Sequence, residues 1–380
     1  MSLFCVSLEV DMGIFKKKYY SLDAINKKDA TYNIIIGERS NGKTYAVFKQ
    51  ALVNYVDKGE QFALIRRWKE DFVGKRGAVM FDALVNNKEV EKLTHGKWTG
   101  IKYNSSKWYL CKKEGEITLT DSEPFAYAFA LSDMEHDKST SYPKITTIGF
   151  DEFLTRFGYL RDEFVLFINV VSTIVRHRTD VKIYMMGNTV NKSCPYFTEM
   201  GLKHLKQMKQ GDIDVYTYGD SRLKVAVEYC LSDEKAKQKS NNFYFAFDNP
   251  RLKMITSGAW EVDIYPHLPY KYKPKDVVFS YFIEFEGDIL QCDIVTVENT
   301  AFTYIHKKTT PIKEPDRDIV YTTQTDPRPN WRVNMLKPVD MLDKKITSFF
   351  GAYKVFYQTN DIGEIVRNYI MWCKNKGGSL

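Results

Sequence analysis

The chain has 380 residues, 44% hydrophobic and 27% charged, enough to bury a sizeable core in two or three domains. Its 55 basic and 48 acidic residues leave a net charge of +7, spread along the chain. That excess is compatible with phosphate-backbone contact but excludes a strongly basic nucleic-acid tail. No apolar run reaches the ~18 residues of a membrane-spanning helix. The six cysteines (Cys5, Cys111, Cys194, Cys230, Cys292 and Cys373) lack the CxxC spacing of zinc or redox motifs and fit a reducing cytoplasm.

Residues 1–11 read as an extension before Met12, and residues 1–31 together as an irregular lead-in. Tyr32 to Ile36 is a short apolar run ending at Gly37, the pattern of a buried strand. Thr44 to Val56 follows as a helix, with Val47, Ala51, Leu52 and Tyr55 at helical spacing. Gln61 to Arg66 is a second buried strand. Residues 67–105 are mixed and partly helical. Trp108 to Cys111 and Ile117 to Leu119 flank Lys112-Lys113-Glu114-Gly115-Glu116 as a β-hairpin. Tyr127 to Leu131 and Ile145 to Phe150 read as strands, 164–175 as a helix apolar nearly all round, and Val181 to Met186 as a strand. Strands alternating with helices predict a parallel α/β sheet over 32–200.

After residue 200 the pattern changes. Residues 201–242 are polar and read as a small linker domain with a helix near 233–239. Residues 243–380 read as an α+β C-terminal domain. It contains a hairpin of Val277 to Phe285 with Ile289 to Val297, a third strand at Ala301 to His306, loop over 310–337, and helices at 338–351 and 361–374.

Gly37-Glu38-Arg39-Ser40-Asn41-Gly42-Lys43-Thr44 is a complete G-x-x-x-x-G-K-T motif, the Walker A phosphate loop. A strand precedes it and a helix follows, as the chemistry requires. Glycines let backbone N–H groups turn toward phosphate oxygens, and the helix adds its positive N-terminal end. Lys43 is expected to reach the β- and γ-phosphates of ATP, and the Thr44 hydroxyl to bind Mg²⁺. Gly37, Arg39, Ser40, Asn41 and Gly42 complete the nucleotide cradle, with Arg66 near it.

The strand 145–150 ends in Asp151-Glu152, the Walker B pattern. Ligands sit at the carboxyl ends of parallel strands, so Asp151 is expected at the metal and Glu152 beside it as the base for an attacking water. Asn188 follows another strand end, where it can hold that water or sense the γ-phosphate. Arg176-His177-Arg178 closes the 164–175 helix. Cations suit a helix C-terminus, but Arg176 is also placed to serve as an arginine finger for a neighbouring subunit, with Lys138 as a second cation.

These segments, with Gly59 to Lys69, Lys138 to Pro143 and Val175 to Arg178 in the same order, resemble a known family. It is the DNA-packaging (encapsidation) ATPases of small short-tailed phages with protein-primed genomes. The resemblance implies an ASCE (RecA-like) P-loop NTPase fold with helices flanking a parallel sheet. A linker and a degenerate ribonuclease H-like nuclease domain would follow. It implies Lys43, Thr44, Asp151 and Glu152 in the roles above, Arg176 and Lys138 acting in trans, and Arg66-Arg67 as the pair after the second strand. It also implies ATP and Mg²⁺, a homo-oligomeric ring, typically a pentamer, and double-stranded DNA as the load. The ring would sit transiently at the portal (connector) of a procapsid in the host cytoplasm, with a structural RNA in some members. Asp248, Asp263, Asp288 and Asp293 are available to a nuclease site, but no spacing singles out a cluster, so no nuclease activity is expected. The rival readings are a helicase or other DNA-dependent P-loop motor, and a nucleotide-gated assembly protein with negligible turnover. A strand-displacement assay separates the first and phosphate release the second.

Overall fold

The isoleucines of Tyr32–Gly37 (β1) alternate between two cores. Ile34 and Ile36 face one side of a sheet and Ile35 the other, all at most 1% exposed. Burying each contributes about 2 kcal/mol relative to exposure. A strand apolar on both faces is what a parallel sheet covered by helices on both sides demands. The computed structural model describes residues 20–136, 140–156, 158–189, 194–231, 265–269 and 271–377.

Among these residues, ten strands form the first sheet. After β1 come Gln61–Arg66 (β2), Gly100–Asn104 (β3), Lys107–Glu114 (β4), Ile117–Thr120 (β5) and Ala126–Ala130 (β6). Ile145–Asp151 (β7), Lys182–Asn188 (β8), Ile213–Tyr218 (β9) and Leu223–Tyr229 (β10) complete it. The order is β3-β4-β6-β2-β7-β8-β1-β10-β9, with β5 on β4. Six adjacent strands, from β6 to β10, run parallel. Helix Lys43–Lys58 (α1) covers one face with Val47, Phe48, Ala51 and Leu52. Helix Glu163–Val175 (α2) covers the other with Phe167, Val170, Val171 and Ile174.

Two expectations are corrected. The linker expected over 201–242 begins inside this sheet, because β10 pairs parallel with β1 and β9 folds back onto it. The helix expected at 233–239 lies outside the described residues. The loop expected over 310–337 contains two short strands, Val320–Thr322 (β14) and Trp331–Val333 (β15).

These belong to a second sheet of six strands among the described residues, with Val277–Phe285 (β11), Asp288–Val297 (β12), Thr300–Lys307 (β13) and Val355–Tyr357 (β16). The first three strands, β11 to β13, form an antiparallel meander. On the far side of β11, β14 and then β15 add in parallel, and β16 runs parallel to β13. Helices Met341–Gly351 (α3) and Asn360–Asn375 (α4) close the chain, each opened by a side-chain cap, from Asp340 and Thr359. No helix of the described residues is long and apolar enough to cross a membrane.

Candidate nucleotide site

The carboxyl ends of β1, β7 and β8 meet at one point. Gly37 and Asn188 are paired residues of β1 and β8, and the Thr189 N–H donates to the Gly37 carbonyl at 3.1 Å. From this platform the loop 37–44 turns into α1. Gly42 holds φ 96°, a left-handed conformation that a side chain would strain. A Cβ at Gly37 would come within 2.9 Å of the Cβ of Cys230, at the end of β10. The loop is strapped from behind as well, by the Tyr20 N–H on the Asn41 carbonyl at 3.1 Å. Neither Cys230 nor Tyr20 carried a signal in the sequence, because both act through long-range packing.

Lys43 is 5% exposed. Its ammonium donates to the Glu38 carbonyl at 2.6 Å, Asn41 Oδ1 at 3.1 Å and Asn188 Oδ1 at 3.3 Å. Burial pushes it down to about 8, against the opposing pull of Cys230, Asp151 and Glu38. The Thr44 hydroxyl donates to Asp151 Oδ1 at 2.8 Å. Asp151 is 7% exposed; burial raises its pKa, countered by the Arg66 guanidinium and the Thr44 hydroxyl.

Arg66, the last residue of β2, lies 3.2 Å from Asp151 Oδ2 and 2.5 Å from Glu152 Oε2. Its neighbour Arg67 points to the other face of the sheet, as alternation along a strand requires. There Arg67 Nε and Nη2 each bond the Glu163 carboxylate at 2.8 Å, and Arg67 also donates to the carbonyls of Glu152 and Phe153 at 3.2 and 2.7 Å. Glu163 takes further bonds from the Tyr196 hydroxyl and the Leu160 N–H. The two arginines, read as one pair in the sequence, therefore differ: Arg66 touches the acidic residues and Arg67 builds the loop beneath them. Glu163 was missed, because a lone acid at a helix start reads as an ordinary helix-dipole residue.

The resulting cleft, about 220 Å³, is lined by Ser40 to Tyr45, Asp151, Glu152 and Met186 to Asn188. Arg39 lies exposed on the loop. Arg176 lies elsewhere. α2 runs back from the carboxyl end of β7 to the amino end of β8, so Arg176 emerges at the opposite edge of the sheet. There it donates to the Thr140 carbonyl at 2.9 Å, two residues beyond Lys138, while Arg178 caps four carbonyls including Ile145. Lys138 itself lies outside the described residues.

Residues 14–330 match the family described as Podovirus DNA encapsidation protein (Gp16). The chain belongs to that family of viral DNA-packaging proteins. It is 30% identical to the DNA packaging protein of Bacillus phage B103 over 177 residues, 46% of this chain and 49% of that protein, so this alignment spans about half of the relative. It is 22% identical to the DNA packaging protein of Bacillus phage phi29 over 314 residues, 82% of this chain and 84% of that protein. Among solved structures, the bacteriophage phi29 viral genome packaging motor assembly superposes with a TM-score of 0.52 at 20% identity, covering 92% of this chain and 99% of that one. At that identity the likeness speaks for the fold.

Proposed function

We propose that this protein hydrolyses ATP at this cleft and uses the cycle to move double-stranded DNA through a portal into a procapsid. The observation that carries the reading is the 2.8 Å bond between Thr44 Oγ1 and Asp151 Oδ1, which joins the phosphate loop to an acidic strand end. A hydroxyl and a carboxylate side by side fit Mg²⁺, which takes few protein oxygens and keeps water and phosphate for the rest. Among the described residues no group of three or more His, Cys, Asp or Glu offers a heavier cage. Bound there, Mg²⁺ would neutralise charge on the β- and γ-phosphate oxygens. Lys43 would exchange its carbonyl and amide partners for phosphate oxygens. Glu152, 64% exposed at its side chain, has room to approach a water and take its proton at a carboxylate oxygen once its pairing with Arg66 loosens. Asn188 would orient that water or read the γ-phosphate.

The far-edge position of Arg176 supports a ring in which each subunit completes its neighbour's site, with Lys138 assisting. A pentamer with a structural RNA, assembled transiently at the portal vertex in the host cytoplasm, is the arrangement we propose. Residues 243–380 form a degenerate nuclease-like domain on this reading. The meander β11 to β13 with β14 and β15 added beside its first strand supports a ribonuclease H-like order. Glu152→Gln in the full-length protein should lower DNA-stimulated phosphate release by about 100-fold or more while ATP-analogue binding persists. Turnover near the wild-type level would overturn the assignment.

A further inference from the structure

The loop from Glu152 to Glu163 is gripped from two sides. Arg67 holds its inner side through the carbonyls of Glu152 and Phe153. Glu152 needs that support: it holds φ 57°, a conformation that costs a non-glycine residue on the order of 1 kcal/mol. The outer side is held by α4 of the C-terminal half. Arg156, 9% exposed, places Nη2 3.4 Å from Glu364 Oε2, and Arg367 Nη2 donates to the Arg156 carbonyl at 2.6 Å. The Tyr265 hydroxyl fixes the same Glu364 at 2.7 Å.

Four residues of chain join Arg156 to Glu152, a reach of at most about 14 Å, so a shift at one end is felt at the other. Beside these polar contacts lies a cavity of about 250 Å³, lined in part by Tyr159, Leu160, Met371 and Trp372. The cores of the two sheets are separate clusters. The halves therefore meet at this loop through ion pairs and hydrogen bonds around a void. Such a seam rearranges without dismantling either core.

We propose that Arg156, Glu364 and Arg367 form a latch through which the C-terminal half positions Glu152, so that hydrolysis runs at full rate only while the latch is closed. The three are positioning residues, acting through the loop. The proposal rests on Glu152 being the base. Substituting Arg67 would strand the buried Glu163, so the outer side is the place to test.

Full-length Glu364→Gln, Arg367→Met and the double variant are compared with wild type for DNA-stimulated kcat, KM for ATP, ATP-analogue affinity and thermal midpoint. Each single change should lower kcat roughly 5- to 20-fold with KM and affinity within about 2-fold, the signature of a lost transition-state interaction. The double variant should be no slower than the slower single one, because both break one unit. Arg367→Lys, which keeps a donor for the Arg156 carbonyl, should recover part of the rate. Wild-type kcat in the latch variants, or a loss of kcat matched by a loss of affinity or folding, overturns the latch. Should Glu364→Gln not fold, Arg367→Met decides, since it removes a half-buried side chain. If Glu152→Gln is inactive and the latch variants are not slowed, only the latch fails. If Glu152→Gln stays active, the functional reading itself fails.

Discussion

Lys43 shows at the scale of one residue how burial and function oppose each other. Its ammonium is placed among oxygens yet desolvated enough to titrate at about 8. In the ligand-free chain the shift works against stability: the unfolded state holds the proton more tightly, so stability rises with pH between about 8 and the ordinary lysine range. Nucleotide reverses the balance, because the triphosphate favours the charged form. Below about pH 8 the ammonium is already present and affinity for an ATP analogue should be level. Above it, binding must take up a proton, and affinity should fall by up to about tenfold per pH unit. Analogue titrations between pH 7 and 9.5 check this. Lys43→Arg, charged throughout, should give a weaker but flat profile. A flat wild-type profile would show either that Lys43 keeps its ordinary lysine pKa in the cleft or that its ammonium does not meet the phosphates.

At the scale of elements, α2 is a strut across the sheet. It begins at Glu163, beneath the acidic loop, and ends at Arg176 on the far edge. Thirteen residues at 1.5 Å each give a length of about 20 Å, too far for Arg176 to serve its own nucleotide. If it serves a neighbour, Arg176→Ala and Glu152→Gln subunits, each inactive alone, should complement when mixed. At equal amounts about a quarter of interfaces join an intact Glu152 to an intact Arg176, and turnover should recover toward that fraction. A mixture as inactive as its parents would sink the trans assignment. The strands and helices that carry this geometry were legible because their apolar runs are bounded by local signals: the short run Tyr32 to Ile36 ends at a glycine, and 164–175 is apolar nearly all round. β10 was not legible. It buries Val225, Ala226 and Val227 against β1, but Lys224 and Glu228 flank them, so the run is too short to read as a core strand. The cleft was legible where one local motif makes it, at 37–44 and 151–152. The Arg67–Glu163 pair was not, because residues 96 positions apart share no local pattern.

Across the whole molecule, we propose that the two sheets divide the chemistry, ATP hydrolysis at the first and no DNA cleavage at the second, and the acids of β12 bear on the second half of that reading. Cleavage of DNA on metal ions needs carboxylates that converge with free lone pairs, the metals being about 4 Å apart. Asp288 and Asp293 are five positions apart on β12, an odd interval that turns them to opposite faces of the sheet, and about 16 Å apart along it. Asp288 lies 3.2 Å from the Lys307 ammonium. Asp293 accepts bonds from Ser280, Gln291, Tyr272 and His306, at 2.7, 2.9, 3.1 and 3.3 Å. Burial alone would raise its pKa, but these donors, His306 foremost, more than offset that and hold it at about 2. A carboxylate so engaged stabilises the fold, and its contribution is lost as pH falls from the ordinary carboxylate range to about 2. Asp248 and Asp263 lie outside the described residues. Incubated with linear or supercoiled duplex and Mg²⁺ or Mn²⁺, the full-length protein should leave the DNA uncut while still hydrolysing ATP. Cutting that disappears in Asp293→Asn but survives in Glu152→Gln would show a working nuclease in the second sheet, and the division of labour argued from β12 would be wrong.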